Sequence, residues 1–278
     1  MKSFENKVAA ITGAGSGMGR ELALELAQRK CHLALSDVNE QGLLETAEKA
    51  RALGVKVTAQ KLDVANRAAM YSWADQVVKD HGKVNLIFNN AGVALGATVE
   101  GMRYEDFEWL FNINFWGVVY GTKAFLPHLK TAGEGHIINT SSVFGLVGIP
   151  SQSAYNAAKF AVRGFTESLR QELDMMNCGL SATSVHPGGI KTNIAKAARL
   201  DSSVSSLGVE ADPATASAKF EKNFITTANS AARTIIRAVE KNKRRVLVGP
   251  DAYVIDWLVR LLPALYQRIT VFFAKLSM

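Results

Sequence analysis

Residues Lys7 to Glu21 read "KVAAITGAGSGMGRE", an apolar, β-branched run that stops at a glycine-rich turn and opens straight into a helical pattern. The run "KVAAIT" suits a buried strand, and "GRELALELAQR" repeats apolar residues at helical spacing. Between them Gly13, Gly17 and Gly19 stand in the order T-G-x-x-x-G-x-G. Glycines there permit a tight turn and let a pyrophosphate approach backbone N–H groups at the positive end of the helix. Three glycines alone would also fit a plain strand-to-helix turn; the strand before them and the helix after them point to nucleotide binding.

The same rhythm continues outward from this turn. The stretches "CHLALS", "VKVTAQ", "VNLIFNN", "GHIINTSS" and "GLSATSVHP" read as strands, separated by periodic segments such as Ala65 to Asp80 and Tyr104 to Leu129, and "RVLVG" adds a seventh. Near-continuous apolar strands alternating with helices predict an α/β fold: a doubly wound parallel sheet, the Rossmann fold, in three layers. One catalytic domain is expected over residues 1–250, including a mobile substrate loop at about 190–227 whose centre, Asp201 to Ala218, is small, polar and turn-rich. Residues 251–278 form an extension of that domain.

Composition narrows the function classes. Of 278 residues, 48% are apolar and 21% charged, which argues against disorder. The net charge of +7 comes from Lys and Arg scattered singly, apart from "KNKRR" at Lys241 to Arg245, which reads as a solvated helix end rather than a nucleic-acid site. Cys31 and Cys178 show neither metal-ligand spacing nor a disulfide framework, the five histidines show no metal spacing, and no metal is expected. The first fifteen residues hold no apolar stretch of signal-peptide length, so the cytoplasm is the expected location.

At the end of the second strand, "LALSDVNE" places Asp37 about twenty residues beyond the glycine turn. A carboxylate there can accept hydrogen bonds from both adenosine ribose hydroxyls of NAD, and would repel the 2′-phosphate of NADP. With no Arg or Lys beside it in the chain, NAD is the favoured cofactor and NADP the lesser one. The plain alternative is an acid at a helix N-terminus.

A second cluster of signals lies downstream. "SQSAYNAAKFAVRG", Ser151 to Gly164, sets Tyr155 and Lys159 four residues apart, on one face of a helix. With "TGAGSGMG", "LDV", "NNAG", "NINFWG", "INTSS", "YNAAK" and "HPGGIKT" in this order, Lys7 to about Gly249 resembles the short-chain dehydrogenase/reductase family, in its single-domain branch. The resemblance implies a catalytic set of Asn114, Ser142, Tyr155 and Lys159. Tyr155 would be the general acid for a ketone oxygen or the base for an alcohol. A free tyrosine has a pKa near 10, and a cation about 4 Å away at an effective dielectric near 20 is worth roughly three pKa units, so Lys159, aided by the positive nicotinamide of NAD, is expected to lower it toward neutrality. Ala157 and Ala158 would keep the helix slim beside cofactor and sheet. Ser142 would hold the substrate oxygen, and Asn114 a water linking Lys159 to solvent.

The same resemblance implies a cofactor site. Gly13, Ser16, Gly17, Met18 and Gly19 would hold the pyrophosphate turn, Asp37 the adenosine ribose, and Asp63 and Val64 the adenine end. Asn90, Ala91 and Gly92 would pack along the cofactor, Tyr155 and Lys159 would meet the nicotinamide ribose, and Pro187, Gly188, Ile190 and Thr192 would seat the carboxamide. His186 reads as structural rather than catalytic. Partners implied are a homodimer or homotetramer.

The expected pocket walls, "VALGA", "VFGLVG" and "IKTNIAK", are largely apolar, which suggests a neutral, hydrophobic secondary alcohol or ketone. A catalytically silent dinucleotide sensor or scaffold of the same fold is the alternative, against which the intact catalytic set speaks. The tail "AYVIDWLVRLLPALYQRITVFFAKLSM" is no membrane span, because Asp256, Arg260, Arg268 and Lys275 interrupt it and Pro263 breaks it. It reads as two short amphipathic helices that pack on the domain, cover the pocket, meet a partner subunit, or touch a membrane peripherally.

Overall fold

A computed structural model of the chain describes residues 1–208, 212, 215 and 224–276. The chain alternates strand and helix from the start: β1 (Val8–Thr12), α1 (Gly17–Gln28), β2 (His32–Asp37), α2 (Glu40–Arg51), β3 (Val57–Lys61), α3 (Arg67–His81) and β4 (Leu86–Asn89). There follow β5 (Leu95–Gly96), α4 (Tyr104–Phe111), a π-helical turn (Asn112–Trp116), α5 (Gly117–Thr131), β6 (Gly135–Thr140) and α6 (Ser153–Met176). The last elements are β7 (Leu180–Pro187), β8 (Ile190–Lys191), β9 (Arg199–Leu200), β10 (Thr226–Thr227), α7 (Ala228–Glu240), β11 (Arg245–Val248), α8 (Pro250–Leu261) and α9 (Leu265–Leu276).

Seven strands form one parallel sheet in the order β11-β7-β6-β4-β1-β2-β3. Chain order reverses between β1 and β4, and a crevice opens there at the carboxyl ends, where such sheets bind ligands. One layer, with Leu22 and Leu26 of α1, Leu43 of α2 and Ile235 and Ile236 of α7, covers one face of the sheet. On the other face lie Met70 and Trp73 of α3, Phe125 and Leu129 of α5, and Leu169 and Leu173 of α6. The strands are apolar along their length because both faces are covered.

Three details differ from the sequence expectation. The segment Tyr104 to Leu129 is not one helix: a π-helical turn interrupts it at Asn114. Described parts of the loop region 190–227 carry regular structure that the sequence did not announce, β8 pairing with β10 and β9 with β5, and Ser202–Leu207 forming a 3₁₀ turn with Val204 buried. Residues 209–211, 213, 214 and 216–223 of that region lie outside the described residues. Within "KNKRR", Lys241 caps α7 as expected but Arg245 begins β11 and pairs with Asp256.

Candidate active site

The glycine turn is built by its neighbours. Gly13 has φ +67°, a left-handed conformation, and a Cβ on it would stand 2.8 Å from the Ala91 Cα. A Cβ on Gly19 would overlap the Gly13 carbonyl, so α1 can start this close to β1 only with glycine there. Gly17 opens α1, and the Ser16 N-cap makes no side-chain hydrogen bond to the first turn, which leaves those N–H groups for a ligand. Thr12 ties the turn to the "NNAG" segment: its Oγ1 accepts from the Asn90 and Ala91 N–H groups at 3.0 and 3.1 Å. Asn90 Nδ2 donates to the Thr12 carbonyl at 3.1 Å, and its Oδ1 is buried with no protein partner.

Asp37 ends β2 beside this turn. Its Oδ2 accepts from the Gly15 N–H and its Oδ1 from the Asn39 N–H, both at 2.8 Å. The N-cap of α2 is Asn39, so Asp37 is not the capping acid of the plain alternative; it braces the glycine turn. Asp63 is exposed beyond β3 with Oδ1 accepting from the Ala65 N–H, while Val64 is buried against Gly117.

On the other side of the switch point, α6 carries the second cluster. Tyr155 and Lys159 lie a turn apart, with Lys159 Nζ 5.5 Å from the Tyr155 ring centroid. Nζ donates to the Thr140 carbonyl at 3.0 Å, and the Lys159 carbonyl accepts from Ser141 Oγ at 2.7 Å, which fastens α6 to the end of β6. Phe144 packs edge-on against Tyr155. Burial pushes the phenol up to about 12, a hydrogen bond with Ser142 working the other way, and burial brings Lys159 down to about 8. In the protein alone desolvation disfavours the phenolate, while the Lys159 ammonium donates to Thr140 and lies over the Tyr155 ring. Ala158 is fully buried against this region while Ala157 is exposed, so only the former serves close packing.

Asn114 is fully buried on the π-helical turn, and both halves of its amide are taken by Val93: Oδ1 accepts from the N–H and Nδ2 donates to the carbonyl, each at 2.8 Å. A water on Asn114 is left the main-chain carbonyl, the second Nδ2 hydrogen or the remaining lone pair of Oδ1. His186 is structural as expected. Burial lowers it to about 4, so the ring is neutral; the Ser142 carbonyl at 3.1 Å can only accept, which puts the proton on Nδ1 and leaves Nε2 to accept from Ser184.

Ser142, Tyr155, Lys159, Asn90, Met18 and Thr192 converge on one cavity of about 240 Å³, to which Gly92, Pro187, Gly188 and Ile190 also contribute wall. Gly13, Ser16, Gly17, Gly19, Asp37, Asp63, Val64, Ala91 and Asn114 stand outside that wall, behind it or along the adenine side of the crevice. Thr192 reaches across to Gly17, so the "PGG" loop and the glycine turn meet over the crevice. The free first-turn N–H groups of α1, the unpartnered Asn90 oxygen and the cavity beside Tyr155 fit a dinucleotide laid across the switch point.

Several residues of the site were not singled out by the sequence. Asn156 donates to the Phe144 and Val147 carbonyls at 2.8 Å and accepts from the Ile149 N–H at 3.1 Å, stitching the wall "VFGLVG" to α6. Asp251 of α8 accepts from the Gly189 N–H at 2.6 Å, and a side chain at Gly188 would overlap it. Gln152, Phe224 and Ile255 complete the wall. A second Asn beside the Tyr of "YNAAK" was the one available signal; the others come together only in three dimensions. Among the described residues no group of three or more His, Cys, Asp or Glu could hold a metal ion.

Comparison with known proteins agrees with this geometry. The family model for short chain dehydrogenases matches residues 7–203. SadH of Mycobacterium tuberculosis, a candidate oxidoreductase, is 48% identical over 270 residues, 97% of this chain and 95% of that protein. Human estradiol 17-beta-dehydrogenase 11 is 37% identical over 196 residues, 70% of this chain and 65% of that protein. A crystal structure of a short chain dehydrogenase/reductase from Burkholderia phymatum in complex with NAD superposes with a TM-score of 0.87 at 31% identity, covering 96% of this chain and 97% of that one. Sheet order, glycine turn, tyrosine–lysine pair and these likenesses together identify the chain as a member of the short-chain dehydrogenase/reductase family of oxidoreductases, with a site for a nicotinamide cofactor.

Proposed function

We propose that the protein is an NAD-dependent dehydrogenase or ketone reductase for a neutral, hydrophobic secondary alcohol or ketone. The observation that carries this reading is the meeting of Ser142, Tyr155 and Lys159 on a cavity whose other walls, such as Val143, Phe144, Ile194 and Ile255, are apolar. A bound nicotinamide ring supplies the hydride acceptor or donor. Tyr155 Oη takes the hydroxyl proton of the alcohol as the carbonyl forms, or returns it to the ketone oxygen in the reverse direction. Ser142 donates a hydrogen bond to the same oxygen and is itself held through its carbonyl by His186. Lys159, next to the phenol, favours its anionic form when charged.

Asp37 supports NAD over NADP. Each carboxylate oxygen keeps a lone pair for a ribose hydroxyl, and the nearest cations are engaged elsewhere. Arg20 donates to the Gly15 and Gly42 carbonyls and pairs with Glu45, and Lys61, opposite Asp37 in the sheet, pairs with Glu40. Fluorescence titration with NADH and NADPH tests this reading: NADH binds the more tightly, and tighter NADPH binding overturns the cofactor assignment. Tyr155→Phe is expected to bind NADH normally and lose turnover by roughly 10²–10⁴-fold; near-normal turnover would refute the acid/base role. A homodimer or homotetramer is the assembly favoured by the family.

A further inference from the structure

Helices α8 and α9 leave an apolar face uncovered. On α8, Tyr253, Val254, Trp257 and Leu261 occupy one side of the helix within about 100° and are all exposed, Trp257 by 63% and Leu261 by 67%. The opposite side is used: Ala252 is buried and Ile255 lines the catalytic cavity. Leu265 and Val271 on α9 are exposed as well, near the exposed cations Arg268 and Lys275. No helix among the described residues is long and apolar enough to cross a membrane.

A second observation adjoins this face. Tyr253 forms one wall of a groove of about 170 Å³ whose other side chains include Arg237, Lys241 and Lys243. All three cations are exposed, and none pairs with a carboxylate among the described residues, although elsewhere Arg245 and Arg260 both pair with Asp256. A helix C-terminus attracts cations, which accounts for Arg237 and Lys241 at the end of α7. It does not account for a tyrosine, a tryptophan and a leucine left in water beside them. Apolar and aromatic residues flanked by unpaired cations complement a layer whose interior is hydrocarbon and whose surface is phosphate. A second copy of the chain fits less well, since a two-fold contact of this patch with itself would set one positively charged surface against another.

We propose that α8, α9 and the Arg237–Lys241–Lys243 groove form a peripheral docking surface for an anionic lipid bilayer. The aromatic and aliphatic side chains of α8 enter the headgroup boundary, and the groove takes lipid phosphates. Because Ile255 and Trp257 project from opposite sides of one helix, docking sets the cavity wall one helix diameter from the bilayer. On the reading of a hydrophobic substrate proposed above, the alcohol or ketone would reach the cavity from lipid with a short aqueous path.

Co-sedimentation of the full chain with vesicles tests the docking independently of turnover. The protein is expected to sediment with phosphatidylcholine vesicles containing phosphatidylglycerol and to remain in solution with phosphatidylcholine alone. Trp257→Glu, and separately Lys241→Glu with Lys243→Glu, should weaken binding roughly tenfold, with NADH affinity unchanged as the control for folding. Trp257→Ala serves in place of Trp257→Glu if the charged variant fails that control. Absence of binding to the anionic vesicles overturns the proposal, as does equal binding by all variants. Sedimentation velocity names the rival occupant: a smaller assembly for Trp257→Glu, from a protein that ignores vesicles, assigns the face to a second copy. Failure to bind NADH would count against the enzymatic reading and leave the vesicle result standing.

Discussion

Lys159 performs two tasks with one side chain. Its ammonium is fixed on the Thr140 carbonyl and faces the Tyr155 ring, while burial has already brought its pKa down to about 8. Below about 8 both Tyr155 and Lys159 hold their protons; above it Lys159 becomes neutral while Tyr155, pushed up to about 12, still holds its own. On the proposed mechanism, ketone reduction needs the protonated phenol beside a cation. Its rate is therefore expected to be flat at lower pH and to fall as pH rises through about 8. Rates measured from pH 6 to 10 should show the inflection in the parent chain and none in Lys159→Met. That these two residues share one face of a helix was legible in their spacing. The direction of the tyrosine shift was not, because desolvation depends on what packs around the phenol, and Phe144 arrives from a separate segment.

Among the elements, the strands and the glycine turn were the most readable, since β1, α1 and β2 each carry their own local signal. The break in the helix between Tyr104 and Thr131 was not, because it answers a distant demand: Asn114 must bring its amide to both backbone groups of Val93. The wall after Ser142 is another case. The 3₁₀ turn Val143–Gly145 and the residues after it are held to α6 by three hydrogen bonds of Asn156, to Phe144, Val147 and Ile149. Asn156→Ala is expected to cost roughly 2–4 kcal/mol of stability, at about 1 kcal/mol for each lost bond plus the desolvated carbonyls left behind. Chemical denaturation measures that loss. Substrate KM should rise in the same variant while NADH affinity stays near its parent value, because the glycine turn lies on the far side of β1.

Taken as one molecule, the chain brings the crevice together from the whole length of the sheet: Asp37 ends β2 and Asp63 follows β3 on one side of the switch point, Ser142 and Pro187 lie at β6 and β7 on the other. The order of strands does this, and alternating strands and helices announced it. The contribution of the last helices was less visible. Asp251 ties α8 to Gly189, Ile255 lines the cavity, and the Tyr266 hydroxyl accepts from the Gly148 N–H at 3.4 Å. A chain ending after Gly249 should keep its sheet and yet melt a few degrees lower, with weaker NADH binding as the Gly188–Gly189 turn loses its carboxylate. Circular dichroism and the same fluorescence titration would report both changes.

The Asp251 and Ile255 contacts have an evolutionary corollary. The groups proposed to move protons sit between β6 and the first turns of α6, whereas part of the wall that a substrate's far end would touch is written about a hundred residues later. Selectivity can therefore drift by exchange of a short terminal cassette, with the proton-handling machinery inherited intact, and grafting α8 and α9 from a relative is a direct route to an altered substrate range.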